Sequence, residues 1–537
     1  GQGSNGPALR FSIRDECKWG AARWADWGRR VPPDIPGRTA PFAACRRTSP
    51  VPAPRFFSAP FVLSHRSLPP VSDSPFPSVD ALTHRAFQHH DEWADAWGAF
   101  DHHDAVGVDP DRLDRVFDAY LDRLEDHYPF HHPRYAGQML KPPHPVAVAA
   151  YAAAMRINPN NHALDGGPGT SDLEQDVVGD LAEMIGFPND TLGHLTSSGT
   201  IANLEALWVA RESHPDRGIA VSADAHYTHE RMCGVLGMEV TEVPSTAHGR
   251  IDLGALRDVL NREAIGTVVL TAGTTGVGAV DRIESALELC RAHDARVHVD
   301  AAYGGFFTLL AREAAPDLDH FPAESFRAIA RCDSVVVDPH KHGLQPYGCG
   351  AVFFRDPAVG RFYQHDSPYT YFTSDDLRLG EITLECSRSG AAAGALWCTL
   401  QALPLSPTDG VGAVVAATHR AARRWAEALR EASRLHLLLP PETDIVACVP
   451  STAEPTLSAV DAASREGFDA AMNAPQDPAF TSILQMPADA LTTLRPDLRA
   501  DRDRAAVLRS VLMKPEHETH AGDLVAALDR HAARVLD

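Results

Sequence analysis

The clearest pattern at the start of the ordered-looking sequence is helical. From about residue 78, apolar residues recur every three or four positions, which is the spacing of one helix face. The segments RLDRVFDAYLDRLE (112–125), HPVAVAAYAAAMRI (144–157) and TSDLEQDVVGDLAEMIGFP (170–188) show it best. In the third, Thr170 or Ser171 is a candidate N-cap ahead of Glu174. The three segments predict helices whose apolar faces build a core.

After Gly193 the pattern changes to short apolar runs that alternate with helices of about ten to fifteen residues. Continuous Val, Ile and Leu in several runs is typical of strands buried on both faces, as in a mostly parallel sheet covered by helices. The predicted strands are GIAVSA (218–223), MEVTEVP (238–244), GTVVLTAG (266–273), ARVHVDAA (295–302), SVVVDP (334–339) and GAVFFR (350–355). We therefore predict a large α/β domain at 146–403, after an N-terminal helical segment at 78–145.

Beyond residue 404 the pattern differs again. A long amphipathic helix, GAVVAATHRAARRWAEALREA (412–432), precedes two strand-like runs, DIVACVP (444–450) and VLRSVLMKP (507–515), and a closing helix. This order predicts a smaller α+β domain at 404–537. Residues 1–77 are rich in Pro, Arg and Ser and show no period, so we expect a disordered extension there. They lack the apolar centre of a secretory signal, and Asp15, Glu16 and Asp26 argue against a transit peptide.

Composition narrows the class of protein. The formal net charge of −22 argues against a nucleic-acid-binding surface, because phosphate contacts need concentrated Lys and Arg. No apolar run reaches the length of a membrane span, so we expect a soluble protein. The nine cysteines are odd in number, scattered and without CxxC spacing, which favours neither a disulfide framework nor a zinc site. The cytoplasm is the expected compartment.

One lysine stands at an unusual place. In SVVVDPHKHG (334–343) a predicted buried strand runs directly into Lys341. One interpretation is a surface lysine whose stem covers apolar surface. The other is a nucleophilic amine that forms a Schiff base with a carbonyl cofactor. The second interpretation requires further groups at the carboxyl ends of the strands, where an open α/β sheet gathers its functional residues.

Several candidate groups of this kind are present. In TSSGTIANLEAL a helix begins at a loop where Ser198 and Thr200 suit a phosphate, unless the helix is merely capped there. Asp300 ends a strand and suits a protonated pyridine nitrogen, with small Ala302 beside it; the alternative is an aspartate that caps the next turn. Each signal is weak by itself. Their order along one domain is what favours a site.

Two further loops carry polar residues. His226 follows a strand, where its ring suits stacking on a flat heteroaromatic group or, alternatively, exposure to solvent. Thr274 and Thr275 form a small polar turn after another strand. His226 and His229 also admit a metal interpretation, but no acidic third ligand stands at HExxH spacing, so no metal is predicted.

With these motifs in place, the chain resembles the group II pyridoxal-phosphate-dependent decarboxylases, which include aromatic amino acid, tyrosine and glutamate decarboxylases. The resemblance spans roughly residues 78–537 and implies the aspartate-aminotransferase-like architecture called fold type I. The motifs that carry it are HHPRYAGQM, DLEQDVVGDLAEMIGFP, TSSGTIANLEAL, ADAHYTHE, TAGTTGVGAVD, HVDAAYGG, VDPHKHG, ECSRSGAAAGALW and LRSVLMKP.

The resemblance implies roles for particular residues. Lys341 would form the Schiff base with pyridoxal phosphate, Asp300 would pair with the ring nitrogen, and His226 would stack on the ring. The phosphate would lie among Ser198, Gly199, Thr200 and His340, and Thr274 and Ala302 would touch the ring. The implied reaction is decarboxylation of an L-amino acid to an amine.

The resemblance also implies a homodimer whose active sites lie at the interface. The segment Pro133, Arg134 and Tyr135 would line the substrate entrance, and Arg388 is a candidate anion partner whose alternative is a structural ion pair. Arg134 and Arg388 would suit an acidic substrate side chain, whereas Tyr135 and Trp397 would suit an aromatic one.

Two departures leave the outcome of the reaction open. The stretch RFYQHDSPYTYFTSDD (361–376) is short for the tyrosine-bearing loop of better-known members, so Tyr363, Tyr369 and Tyr371 are all candidates for the protonating residue. His342 replaces a residue that is commonly bulky and apolar. The alternatives are therefore a decarboxylative oxidase or aldehyde synthase, another carbon-carbon lyase, or a catalytically silent scaffold of the same fold.

Overall fold

The structure is a computed structural model and describes residues 78–162, 164–312, 321–364 and 383–536. Every described residue belongs to one compact unit, Pro69–Asp537. The extension predicted at 1–77 lies outside the described residues.

A seven-stranded sheet forms the centre of the larger part. Its strands are β1 Leu192–Thr196, β2 Gly218–Ser222, β3 Val240–Val243, β4 Ile265–Thr271, β5 Arg296–Asp300, β6 Ser334–Val337 and β7 Gly350–Phe354, in the spatial order β1-β7-β6-β5-β4-β2-β3. β7 is antiparallel to both neighbours, and all other neighbouring pairs are parallel. The six predicted strands are confirmed, whereas β1 is an addition that the sequence did not indicate.

Helices cover this sheet, and every residue of β4 is buried, as the apolar run predicted. Most of the apolar side chains around the sheet belong to one large core cluster. The α-helices of this part are α1 Val79–Asp95, α2 Pro110–Leu124, α3 Pro145–Ile157, α4 Pro168–Ile185, α5 Gly199–Ser213, α6 Thr228–Leu236, α7 Leu253–Arg262, α8 Ile283–Ala292, α9 Thr308–Arg312, α10 Ala323–Ala328 and α11 Gly390–Ala402.

A second, smaller sheet follows beyond residue 404. It is antiparallel throughout and has the order β10-β11-β9-β8. Its strands are β8 Leu435–Leu437, β9 Ile445–Pro450, β10 Ser482–Pro487 and β11 Arg504–Val511, and its helices are α12 Gly410–Glu431, α13 Leu457–Met472, α14 Ala488–Leu494 and α15 His517–Leu536. The long helix and two of the strands were predicted, while β8 and β10 were not.

The prediction that α2 builds the core of the chain is wrong. The helix itself is present, but none of its residues is buried. Its apolar face is exposed by 45–60%, although helical spacing places these residues on one side: Leu113, Val116, Phe117, Tyr120, Leu121 and Leu124. The pattern reports a face that is suited to burial, and it does not report which surface buries it.

The predicted start of α4 also needs correction. The helix begins at Pro168 with Gly167 as its N-cap, so Thr170 and Ser171 lie inside it. The Thr170 hydroxyl donates instead to Asn161 Oδ1 at 2.6 Å. Proline at the first helical position explains the earlier start, because its fixed φ suits that position and it has no N–H to satisfy.

A membrane-spanning helix is not found in the part of the chain that the structure describes, where no helix is both long enough and apolar enough.

Candidate active site

Five loops meet at one edge of the large sheet. They follow β1, β2, β4, β5 and β6, which run in the same direction and therefore end at the same edge. Together they line a cavity of about 190 Å³. Its walls include eight residues that the sequence predicted for a cofactor site: Ser198, Gly199, Thr200, His226, Asp300, Ala302, His340 and Lys341.

The first wall is the start of α5. Ser198 is the N-cap, and its hydroxyl accepts a hydrogen bond from the Ile201 N–H at 3.4 Å. The first turn of a helix offers backbone N–H groups without partners inside the helix, and together with the helix dipole they favour an anion. Gly199 is required there, because a Cβ atom would lie 2.5 Å from Asp338 Oδ2. The loop therefore approaches the turn of Lys341 more closely than any side chain would allow.

The second wall is Asp300, which ends β5 and is 6% exposed. Its Oδ1 accepts the Ala302 N–H at 3.1 Å, and its Oδ2 accepts a hydrogen bond from His229 Nε2 at 2.9 Å. Burial by itself raises the pKa of this carboxyl, but the His229 hydrogen bond and the charge of Lys341 outweigh it and leave the pKa below its usual value. Asp300 is thus a buried carboxylate that stays ionised.

The third wall carries Lys341 together with Asp338 and His340 of the same turn. Lys341 Nζ lies 3.1 Å from Asp338 Oδ2, and its side chain is 20% exposed. The backbone carbonyl of Cys349 accepts a hydrogen bond from His340 Nδ1 at 2.7 Å, which fixes the imidazole. Asp338 is 2% exposed, and its Oδ1 has no hydrogen-bond partner among the described residues. Lys341 therefore lines the cavity from a hydrogen-bonded turn, and it is not a surface lysine.

The remaining predicted cofactor residues lie on the loops after β2 and β4. His226 lines the cavity, and its pKa is lowered, chiefly by burial. The charge of Asp300 raises this pKa and that of Lys341 lowers it, but both effects are smaller than that of burial. The Thr274 hydroxyl instead accepts the Ala279 N–H at 3.0 Å within its own turn. Its neighbours Gly273 and Thr275 line the cavity where Thr274 was expected.

The candidate substrate residues do not line this cavity. Arg134 Nη1 lies 3.0 Å from Asp477 Oδ1, and the Tyr135 carbonyl accepts a hydrogen bond from Lys514 Nζ at 2.6 Å. The Pro133 carbonyl is 2.9 Å from His517 Nε2. All three thus contact the smaller domain of their own chain.

Arg388 is held in the core. Its Nη1 lies 2.6 Å from Glu174 Oε1 and also donates to the Leu195 carbonyl at 2.8 Å. The arginine side chain is 7% exposed and the glutamate 3%. This geometry is the structural ion pair that the sequence left open as the alternative to a substrate contact.

The candidate protonating tyrosines divide into two groups. Tyr363 is 2% exposed, and its hydroxyl donates to Glu205 Oε2 at 2.9 Å in a core that includes Trp208. It does not line the cavity. Tyr369 and Tyr371 lie outside the described residues.

The sequence missed several residues that line or support the cavity. Asn203 Nδ2 donates to the Gly199 carbonyl at 2.9 Å, and its Oδ1 accepts from His298 Nε2 at 2.9 Å, so this pair supports the start of α5. Tyr303 and Thr228 also line the cavity. The signal for Asn203 was its position four residues into the helix after Gly199, but only the fold brings His298 to it.

Behind Lys341 lies a buried polar cluster that joins three parts of the chain. The Tyr303 hydroxyl donates to Asp444 Oδ1, and His342 Nε2 lies 3.3 Å from Asp444 Oδ2. His342 is fully buried against the rings of Tyr303 and Phe307. Burial raises the pKa of Asp444 to about 6 despite the Tyr303 hydrogen bond, and burial lowers the pKa of nearby Lys141 to about 8.

The cofactor that the resemblance implies fits this cavity. The N-terminus of α5 and its hydroxyls suit a phosphate, and the ionised, buried carboxylate of Asp300 suits a pyridinium. The Lys341 amine, which lines the same cavity, suits an aldehyde. Gly199 and Ala302 both line the cavity, and neither carries a bulky side chain that would fill it. In the part of the chain that the structure describes, no group of three or more His, Cys, Asp or Glu is arranged to hold a metal ion.

Known proteins match both the sequence and the fold. The model of the pyridoxal-dependent decarboxylase conserved domain matches residues 103–449. A probable L-tyrosine/L-aspartate decarboxylase from Methanothermobacter thermautotrophicus is 30% identical over 318 residues, covering 58% of this chain and 82% of the relative. An L-tyrosine decarboxylase from Enterococcus faecium is 29% identical over 418 residues, covering 60% of this chain and 68% of the relative.

Solved structures agree. The crystal structure of Rhodiola rosea 4-hydroxyphenylacetaldehyde synthase superimposes with a TM-score of 0.66 at 17% identity, over 82% of this chain and 90% of that one. At this identity the match establishes the fold alone, which is fold type I, as predicted. Because the family model covers well over half of the chain, this protein belongs to the pyridoxal-dependent decarboxylases and is a carboxy-lyase that uses pyridoxal phosphate.

Proposed function

We propose that the protein decarboxylates an L-amino acid to the corresponding amine, with Lys341 as the residue that carries the cofactor. The observation that supports this most is the meeting of the Lys341 amine, the Asp300 carboxylate and the start of α5 in one cavity. Each group has the chemistry that one part of pyridoxal phosphate requires: the aldehyde, the ring nitrogen and the phosphate.

The residues of this chain have separate tasks in that reaction. When bound, pyridoxal phosphate accepts the electron pair that carbon dioxide leaves on the substrate α-carbon. Ser198 and Thr200 would hold the phosphate together with the first turn of α5, and His226 would pack against the ring. Asp300 would keep a positive charge on the ring nitrogen, because it is ionised and buried where water does not weaken the interaction.

Lys341 also controls a proton. Its amine lies 3.1 Å from Asp338 Oδ2, so the carboxylate holds the ammonium in place whenever the amine is not bonded to the cofactor. A Lys341 ammonium held in this way would be a proton donor at the cavity wall. His340 lines the cavity from the same turn, and its imidazole is held by the hydrogen bond to the Cys349 carbonyl.

For the substrate we propose an aromatic amino acid, with L-tyrosine as the first candidate. Both named relatives are described as acting on L-tyrosine, and one of them also on L-aspartate. An acidic side chain would need a free cation. Arg134 pairs with Asp477 and Arg388 pairs with Glu174, so both arginines that would suit L-aspartate already have carboxylate partners.

We further propose a homodimer in which the apolar face of α2 packs against a second copy of the chain. Support comes from the six exposed apolar residues of that face, since a contiguous apolar surface of this kind is typical of an interface. The segment around Arg134 and Tyr135, which lies outside the cavity of its own chain, would approach the site of the other copy. The double variant Phe117→Glu, Leu121→Glu should then sediment as a monomer, whereas Arg115→Glu on the polar face should not.

A reducing compartment such as the cytoplasm is also proposed. The seven cysteines that the structure describes are free thiols, and five of them are buried. Such thiols suit a compartment in which disulfides do not form.

The first test is the absorption spectrum of the purified protein with added pyridoxal phosphate. A visible band that is present in the native protein and absent from Lys341→Ala is expected. The chain contains only four lysines, Lys18, Lys141, Lys341 and Lys514, so borohydride reduction followed by peptide mass spectrometry identifies the attachment site directly. Modification at another lysine, or no binding, would contradict the proposal.

The second test measures products. L-Tyrosine and L-aspartate are supplied separately while carbon dioxide and dissolved oxygen are followed. Carbon dioxide from L-tyrosine without oxygen uptake supports simple decarboxylation. Oxygen uptake in proportion to turnover would instead identify an aldehyde-forming oxidase.

A further inference from the structure

A buried histidine stands behind the proposed partner of the cofactor ring. His229 is the second residue of α6 and is fully buried, beside the apolar residues Met232 and Cys233 of the same helix. Its Nε2 lies 2.9 Å from Asp300 Oδ2. The carboxylate oxygen is an acceptor, so Nε2 carries the hydrogen and donates it.

The hydrogen bond to Asp300 explains why a polar ring is buried at position 229. Among the described residues, His229 Nδ1 has no hydrogen-bond partner, although it is buried. A buried polar ring is unfavourable unless its hydrogen bond compensates for lost water, and an apolar side chain would suit the neighbours of His229 better. The single ring hydrogen bond to Asp300 therefore accounts for a histidine at this position.

The hydrogen bond also fixes the direction of the carboxylate. Asp300 Oδ1 is held by the Ala302 N–H at 3.1 Å and Oδ2 by His229, so the group is held at both oxygens. Of the other titratable groups near Asp300, His226 lies on the loop before α6 and Lys341 follows β6, and both face the cavity. His298 is on β5 itself, and its two nitrogens are bonded to Ser334 and Asn203. Among the titratable side chains that the structure describes, His229 is the one that hydrogen-bonds Asp300, and it does not line the cavity.

We infer that His229 is a positioning residue that orients Asp300 and keeps it ionised toward the ring nitrogen of the cofactor. This inference rests on the proposed role of Asp300. Its consequence is that His229 governs cofactor affinity and the protonation of the ring without touching either the cofactor or the substrate.

Two variants separate this role from simple packing. His229→Leu keeps an apolar side chain of similar length but has no donor, whereas the amide nitrogen of His229→Gln reaches about as far as Nε2 and keeps one. Pyridoxal phosphate is titrated into apoprotein of each variant, and the visible band of each complex is followed against pH. We expect His229→Leu to bind the cofactor roughly ten-fold more weakly, as for the loss of a hydrogen bond to a charged group, and to shift the pH midpoint of the band. His229→Gln should restore both properties.

A cofactor analogue whose ring nitrogen is replaced by carbon makes the test specific. The native protein should prefer pyridoxal phosphate over this analogue, and His229→Leu should lose most of that preference, because the two changes remove the same interaction. An unchanged preference in a folded His229→Leu would overturn the inference. If that variant does not fold, His229→Gln decides: a preference for pyridoxal phosphate as strong as that of the native protein supports the inference, and loss of the preference overturns it. Failure of the native protein to bind pyridoxal phosphate would instead contradict the proposed function.

Discussion

Two buried aspartates of this protein have opposite electrostatic states. Asp300 lines the cavity and its pKa is lowered, whereas Asp444 lies in the cluster behind Lys341 and its pKa is raised to about 6. Both are buried, so burial does not explain the difference. Asp300 receives donors at both oxygens and faces Lys341, but Asp444 Oδ2 has no hydrogen-bond partner among the described residues.

The comparison teaches that hydrogen-bond donors decide whether a buried carboxylate keeps its charge. Desolvation favours the neutral form of each aspartate, and only donors and cations reverse it. A group that must hold a positive ring nitrogen needs the ionised form. Asp444 is faced by His342, whose ring nitrogens lack hydrogen bonds within the described residues, and this histidine offers little compensation.

The largest effect is expected from neutralising Asp300. Asp300→Asn keeps the shape but removes the charge that would pair with the ring nitrogen, so the turnover of L-tyrosine should fall by about 100-fold or more. The measurement is the rate of carbon dioxide release at saturating cofactor. Asp216→Asn, at an exposed position, is the control and should leave the rate unchanged. If Asp300→Asn kept its activity, the charge of Asp300 would not be needed for the reaction.

The next effect concerns stability and pH at Asp444. Because the pKa of Asp444 is raised in the folded state, its contribution to stability is present below pH 3.8 and is lost as the pH rises through about 6. That rise corresponds to roughly 3 kcal/mol. The free energy of unfolding of Asp444→Asn should therefore vary less than that of the native protein between pH 4 and pH 7. Parallel curves in denaturant titrations would show that Asp444 is not perturbed.

A smaller effect is expected from the donor to Asp444. Tyr303→Phe removes the hydroxyl that donates to Oδ1, which leaves the ionised carboxylate less stabilised and should raise its pKa further. At pH 7 the variant should lose about 1–3 kcal/mol of unfolding free energy, with a smaller loss at pH 5. Thermal melts at the two pH values measure this, and a loss that is equal at both would indicate packing alone.

The smallest effect is expected on stability, from replacing His342, the histidine that faces Asp444. His342→Leu removes a buried ring whose nitrogens have no hydrogen bonds to the described residues, and it places an apolar side chain against Tyr303 and Phe307. Stability should rise by about 1 kcal/mol, since an unsatisfied buried polar group is lost. Cofactor affinity should remain native. A marked loss of stability would show that His342 does compensate Asp444.

Much of the fold was predictable because its strands are apolar and its helices are amphipathic. Six strands of the large sheet were found in this way, but β1 was missed because LGHLT is not an apolar run. His194 is accommodated in β1 through Glu205, whose Oε2 lies 2.8 Å from Nε2, and this partner comes from another element. The apolar face of α2 was read correctly as a pattern and wrongly as part of the core, because periodicity does not identify the partner surface.

Some residues of the candidate site could be recognised from the sequence, and others could not. Residues that follow strands, such as Asp300 and Lys341, were recognisable because parallel strands bring their carboxyl ends together. Arg388 was not, because its pairing with Glu174 depends on the packing of α4 against β1. His229 had no signal beyond its type, since Asp300 is 71 positions away in sequence.

The sequence by itself determined the α/β class, the order of the site residues along the chain and the chemistry available to each. These properties are local, because they depend on residue type and on spacing within a few turns or strands. Only the tertiary structure decided which charges are compensated: Asp300 by His229, Glu174 by Arg388, and Asp444 incompletely by Tyr303. The reason is physical, since the charge of a buried group depends on donors and desolvation supplied by distant segments.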